Sequence, residues 1–197
     1  MSKLRTNEEF RRNAANNQKK QGVSSVTPLT ILSNIDLVND VNVDVMHGAY
    51  IGVVRMIVSI WVNGNNVFPN FKGDDFRIFL LYAALFVLQD IPPDRFNNFM
   101  CLHQGISHLE NQTYIAKYTE YAHKLLHSFL THSEFMYGAS ILKYNFHGIL
   151  HYAEDAVRHS PLRAFCFESF NAKFCRFIKS RTYPLTEFAS VQYGLKL

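Results

Sequence analysis

VNVDVMHGAYIGVVRMIVSIW, residues 41–61, is the stretch on which the reading of the fold turns. Its first five residues, Val41-Asn42-Val43-Asp44-Val45, alternate apolar and polar with period two and are rich in Val, the pattern of a short strand. From Gly48 to Trp61 the period changes. Apolar residues recur at 51, 54, 57, 58 and 61, the spacing of a helix, and Asn63-Gly64-Asn65-Asn66 ends the run. The expectation is a strand passing into a helix, with His47 and Gly48 at the junction.

Downstream the pattern is helical throughout. Pro69, Gly73 and Asp74-Asp75 mark a turn before an apolar helix from Phe76 to Gln89. Its run from Ile78 to Leu88 is eleven residues, about half of what a membrane span needs, so it predicts a buried core helix and no membrane partner. Pro92-Pro93-Asp94 stops one helix and starts the next, because Pro suits a first helical turn and Asp the positive end of the helix dipole. Helices are then expected over Phe96 to Leu109, over a stretch carrying Ile115, Tyr118, Ala122, Leu125 and Phe129, and over Phe146 to Val157. After Ser160-Pro161, a last amphipathic helix from about Phe165 to Ser180 carries Phe167, Phe170, Phe174 and Phe177 on one side.

Upstream, residues 1–27 are rich in Asn, Gln, Lys and Ser and hold too few large apolar side chains to bury anything, so a flexible or draped arm is expected. The first twenty residues contain six of the 20 basic residues and two of the 16 acids, which leaves 14 of each in the remainder. The whole surplus of four positive charges thus sits in this arm, on Lys3, Arg5, Arg11, Arg12, Lys19 and Lys20. Such a local cluster suits phosphate backbones, and it equally suits a solvated terminus. With 48% hydrophobic and 14% aromatic residues, the 197-residue chain is globular. Cys101, Cys166 and Cys175 form no CxxC pair and read as reduced thiols of an intracellular protein, and MSKLRTNEEF has no secretory h-region.

Three groups could carry chemistry. Asp44 at a strand end could hold a divalent cation with His47 orienting it, or the pair could simply cap the helix. Helical steps of 100° place His147, His151, Glu154 and Arg158 in one stripe, opposite an apolar face of Phe146, Leu150, Ala153 and Val157. Two imidazoles at i and i+4 can bind a metal ion, but Gly, Ile and Leu fill the interval where zinc helices place a catalytic Glu, and a solvated stripe explains the pattern too. His123 and His127 repeat the spacing with still less around them. Glu168 is an isolated acid among Arg163, Lys173, Arg176, Lys179 and Arg181, suited to metal-assisted work on a phosphodiester or, more simply, to a helix N-terminus. No GxGxxG, P-loop, GxSxG or HExxH is present.

Several segments, in order, resemble the C-terminal half of CACTA (En/Spm-like) transposases. They are RTNEEFRR, TPLTILSNIDLV, VDVMHGAYIGVVRMIVSIW, FRIFLLYAALFVL and YNFHGILHYAEDAVRHSPLRAFCFESFNAKFCRFIKS with RTYPL after it, from about Arg5 to Glu187. The most specific blocks are D-x-M-H-x-x-x-x-G-V and YN-x-H-x-x-x-H followed by S-P-L and FES. The resemblance implies an RNase H-like core that cuts and joins DNA with two divalent ions, Mg2+ or Mn2+, held by three carboxylates about 3.5–4 Å from ion to ion. On that pattern Asp44 and Glu168 are catalytic and metal-holding acids, with His47, His147 and His151 as supports. Arg5, Arg11, Arg12, Lys19, Lys20, Lys173, Arg176 and Lys179 would contact nucleic acid.

The fold class implied is mainly α, an incomplete RNase H-like α/β core with a large helical insertion that accounts for the 124 residues between Asp44 and Glu168. The divisions are a basic arm over 1–27, a strand–helix piece over 28–66, the insertion over 67–160 and a catalytic-type helix with its tail over 161–197. The family's first catalytic Asp lies upstream of the segment matching RTNEEF. A transposase-derived fragment, inactive alone, is therefore expected, acting in the nucleus on DNA and inclined to homo-oligomerise through apolar surface left by missing strands. A non-enzymatic DNA- or protein-binding helical domain is the alternative, and a helical metal protein built on His147 and His151 is a third.

Overall fold

The computed structural model describes residues 6–16, 26–40, 44–62 and 68–159, and every regular element among them is helical. The chain is mainly α. It divides into two compact units at Val43/Asp44.

Within the first unit, the described part of the expected arm contains a helix. Helix α1, Asn7–Ala15, starts in a capping box in which the Glu9 N–H donates to Thr6 Oγ1 (3.2 Å) and the Thr6 N–H to Glu9 Oε2 (3.3 Å). Two otherwise unpaired backbone donors are satisfied at once, which allows a short polar helix to persist. From α1, Arg11 donates to the carbonyls of Thr30 (2.5 Å), Leu32 (2.7 Å) and Ile35 (2.6 Å), at and beyond the end of the one-turn helix α2, Pro28–Ile31. Asn7 Oδ1 accepts the Leu37 N–H at 3.0 Å. Asp36 Oδ1 then accepts the N–H groups of Val38 (2.9 Å) and Asn39 (2.8 Å), a turn that holds the Asp36 carboxyl below the usual carboxylate range.

The second unit is built on a helical hairpin. Helices α5, Pro93–Glu110, and α6, Gln112–Tyr137, are joined by Asn111 alone, whose Oδ1 caps α6 by accepting the Thr113 N–H at 3.0 Å. Phe99, Leu102, Ile106 and Leu109 on α5 face Ile115, Ala122, Leu126 and Phe129 on α6, all buried at spacings of three, four or seven. At the far end, Asn98 Nδ2 donates to Ser133 Oγ at 2.8 Å inside the core.

Three further helices pack around the hairpin. Helix α3 begins with a wider, π-helical segment, Met46–Val54, and continues as regular α-helix over Arg55–Trp61. The expected strand does not extend to its end: Val45 is already helical and Asp44 lies in no strand, while residues 41–43 fall outside the described residues. A run in which Ala49, Tyr50, Val53, Val54, Ile57 and Val58 are all buried needs cover on more than one side, and α4 and α7 both lie against it. Helix α4 runs through Gly73–Ile78, a π turn at Phe79–Ala83 and Ala84–Val87. It is not a wholly buried helix. Phe76, Leu80, Ala84 and the following Leu88 form the buried stripe, and Ile78, Tyr82, Phe86 and Val87 are exposed, because a single face is enough to close this side of the hairpin.

Helix α7 comprises Tyr144–Gly148, a tighter 3-10 turn at Ile149–His151, and Tyr152–His159. The 3-10 turn advances the register. The buried face is Phe146, Ile149, Tyr152, Ala153 and Ala156, while Val157, expected in the core, is 60% exposed.

Candidate functional site

Asp44 precedes α3 with its main-chain carbonyl accepting the Gly48 N–H at 2.8 Å. Its carboxylate serves two partners: Oδ1 accepts the Met46 N–H at 2.9 Å, and Oδ2 pairs with Nδ1 of His47. The capping role and the expected Asp44–His47 pairing therefore coexist. Both groups reach solvent, with the carboxyl side chain 34% and the imidazole 56% exposed, at a helix start where orphan N–H groups favour negative charge.

The helix carrying YNFHGILHY lies directly against this one. Gly52 of α3 is where Asn145 of α7 comes closest: a Cβ on Gly52 would stand 2.7 Å from Asn145 Cγ and 2.9 Å from the His47 carbonyl oxygen. Only a residue without a side chain allows that approach. Two turns further along α7, Tyr152 is 2% exposed and its hydroxyl has no well-formed hydrogen bond among the described residues, the Ala49 N–H being the backbone donor near it. Burial pushes this phenol far above its ordinary pKa, and the Asp44 charge nearby adds to the effect.

The histidines of α7 form a separate pair. His147 is exposed and His151 half-buried, with ring centroids 5.5 Å apart in an edge-to-face arrangement. Among the described residues no three His, Cys, Asp or Glu side chains come together as a metal-holding group, so His147 and His151 are not joined to Asp44 and His47 in one such cluster. Glu154, in the predicted stripe, lies 3.7 Å from Arg158 across one turn.

Of the predicted nucleic-acid contacts, Arg12 is exposed on α1, and Arg11 is engaged with three carbonyls of its own unit. Glu168, Lys173, Arg176, Lys179, Arg5, Lys19 and Lys20 lie outside the described residues, as do the phenylalanine helix and two of the three cysteines. Cys101 is a half-buried thiol whose pKa burial raises.

A second polar centre went unnoticed in the sequence. Arg77 of α4 donates through Nη2 (2.9 Å) and Nε (3.1 Å) to Glu110 Oε2, while the Tyr50 hydroxyl donates to Oε1 at 2.8 Å. Burial works against the guanidinium charge and Glu110 more than compensates, so the net shift of the Arg77 pKa is upward. An open groove of about 510 Å3 beside it is lined by Leu81, Tyr82, Ser107, Asn111 and Gln112 as well as the pair itself. Two signals were available: an Arg inside an apolar helix, and a Glu at a helix C-terminus, where the dipole disfavours it unless a cation is near.

Comparison with known protein families, with curated proteins and with solved structures finds no match to this chain. No helix among the described residues is long and apolar enough to cross a membrane.

Proposed function

We propose that this chain derives from a CACTA-type transposase, with Asp44 as one of the carboxylates that hold Mg2+ or Mn2+ in an RNase H-like catalytic core, and that its ancestral reaction is DNA strand cleavage and transfer in the nucleus. The observation that supports this reading is spatial. The two most specific blocks of the resemblance, D-x-M-H and YN-x-H-x-x-x-H, are about a hundred residues apart in sequence, yet Asn145 of the second packs against Gly52 of the helix that the first begins.

The residues present fit such a cation in part. Asp44 offers a half-exposed carboxylate at a helix start, and His47 orients it through Nδ1. A divalent ion held there would supply Lewis-acid stabilisation of charge on a phosphodiester. The chain's own contribution is to fix the carboxylate through the Met46 N–H and the His47 ring. Glu168 completes the proposal as a further acid, and the basic residues of the arm as DNA contacts.

Manganese titration followed by calorimetry tests this. Asp44→Asn keeps a capping oxygen but removes the charge. Weak Mn2+ binding that is lost in Asp44→Asn and reduced in Glu168→Ala is expected. Isotherms unchanged by both substitutions would overturn shared coordination.

A non-enzymatic binding role is the second reading, favoured by the apolar stripe of Ile78, Tyr82, Phe86 and Val87 on α4, which suits association with a protein partner or a second copy.

A further inference from the structure

We propose that the tyrosine face at the start of α6 is a stacking platform for single-stranded nucleic acid. Tyr114, Tyr118 and Tyr121 fall at i, i+4 and i+7, so they share one face of the helix. From α5, His108 sits among all three rings. It stacks on Tyr118 at 4.9 Å and 22°, and lies 6.2 Å from Tyr114 and 5.7 Å from Tyr121. Tyr114 meets Tyr118 edge-on at 5.7 Å. The imidazole therefore braces the rings from beneath, while Tyr114 and Tyr121 remain 46% and 49% exposed.

Half-exposed aromatic rings held at set angles are what unpaired bases require, since every base presents a π-face and stacking needs no sequence match. At a rise of about 1.5 Å per residue, Tyr114 and Tyr121 stand about 10 Å apart along the axis, room for two or three bases. The cation is in place as well. Lys117 carries its ammonium 5.1 Å from the Tyr118 ring centroid and pairs with no carboxylate among the described residues. Two acids of these helices are paired with other cations, Glu120 with Lys124 at 2.7 Å and Glu110 with Arg77 at 2.9 Å. Asn111 and Gln112, at the same end of the hairpin, line the polar groove and add amide donors and acceptors for base edges.

Each member of this face ends in a hydroxyl, an imidazole or an ammonium, so it presents π-faces and polar edges together, and a protein partner on the same tyrosines is the competing outcome that sedimentation reads. A duplex fits poorly, because its bases offer no free faces. The inference stands apart from the reading of Asp44, since it involves neither that carboxylate nor a metal.

The test is fluorescence anisotropy of the full chain with 15-nucleotide oligothymidylate and oligouridylate, in EDTA and at several salt concentrations. Micromolar binding is expected, weakened at least about tenfold in Tyr114→Ala/Tyr121→Ala and retained in Tyr114→Phe/Tyr121→Phe, which keeps the rings. Lys117→Ala should lower the salt dependence by about one phosphate contact. Circular dichroism checks that the variants fold. No binding to either oligomer, equal affinity in the alanine variant, or binding to duplex alone would overturn the platform. So would self-association, seen by sedimentation, that the alanine variant abolishes without changing oligomer affinity. Because these titrations run in EDTA and the manganese calorimetry contains no oligonucleotide, failure of the metal site and failure of the platform are read separately.

Discussion

Arg77 and Glu110, 33 residues apart, meet through two N–H donors on one carboxylate oxygen, at 2.9 and 3.1 Å, with side chains only 21% and 10% exposed. With the Tyr50 hydroxyl on the other oxygen, this contact ties α3, α4 and the end of α5 together at one point. Its removal is the first test of how the second unit is held.

Arg77→Met should destabilise the protein by about 2–3 kcal/mol, below the loss for a fully buried pair because the guanidinium keeps some solvent. Urea denaturation measures it. Arg77→Met combined with Glu110→Leu should recover much of the loss, since no unpaired charge then remains. A single variant as stable as the parent would show that water compensates Glu110.

Gly52→Ala places a methyl group against Asn145 and the His47 carbonyl, which cannot both move away. Overpacking of this kind costs about 1–3 kcal/mol and here outweighs the helix-propensity gain of about 1 kcal/mol. Thermal melting should show the loss, and adding Asn145→Ala should restore part of it. Full stability in Gly52→Ala would contradict the close approach of α7 to α3.

Tyr152→Phe removes a buried hydroxyl without a well-formed partner, so at neutral pH it should be neutral or stabilising by up to about 1 kcal/mol. The alkaline side tests the sign. Because burial raises the phenol pKa in the folded state, the neutral form is favoured there, and stability is fully present below the ordinary value near 10 and is lost as pH rises beyond it. Tyr152→Phe should therefore resist alkaline unfolding better than the parent in pH-jump melts. Greater sensitivity would mean the hydroxyl has a partner.

Asp44→Ala should cost about 1 kcal/mol through loss of the cap at the start of α3, while Asp44→Asn should cost little. Equal losses in denaturant titrations would place the stabilisation in the carboxylate's charge, through His47 and the helix dipole, and not in the hydrogen bond to Met46.

Helix positions were legible where their cause is local. Pro93 begins α5 as its place after Pro92 implies, and the spacing of Ile115, Ala122 and Phe129 marks α6. At Asp44 and Val45 the alternation is a poor guide, because so short a pattern is compatible with a helix start and the backbone there is decided by a cap and by what covers α3. The helix at Asn7–Ala15 was hidden by polarity. Its stability comes from a capping box and from Arg11 reaching carbonyls about twenty residues away, neither of which registers in hydrophobic periodicity.

The sequence by itself determined that the chain is mainly helical, where its main turns fall, and that Asp44 and His47 stand at a helix start, because helical period, proline geometry and short-range capping act within a few residues. Only the tertiary structure decided that Gly52 receives Asn145, that Tyr152 is buried near Asp44, that Arg77 finds Glu110, and which stripe of α4 faces inward. These depend on which surfaces meet. Packing couples residues far apart in the chain, and neither spacing nor composition carries that information.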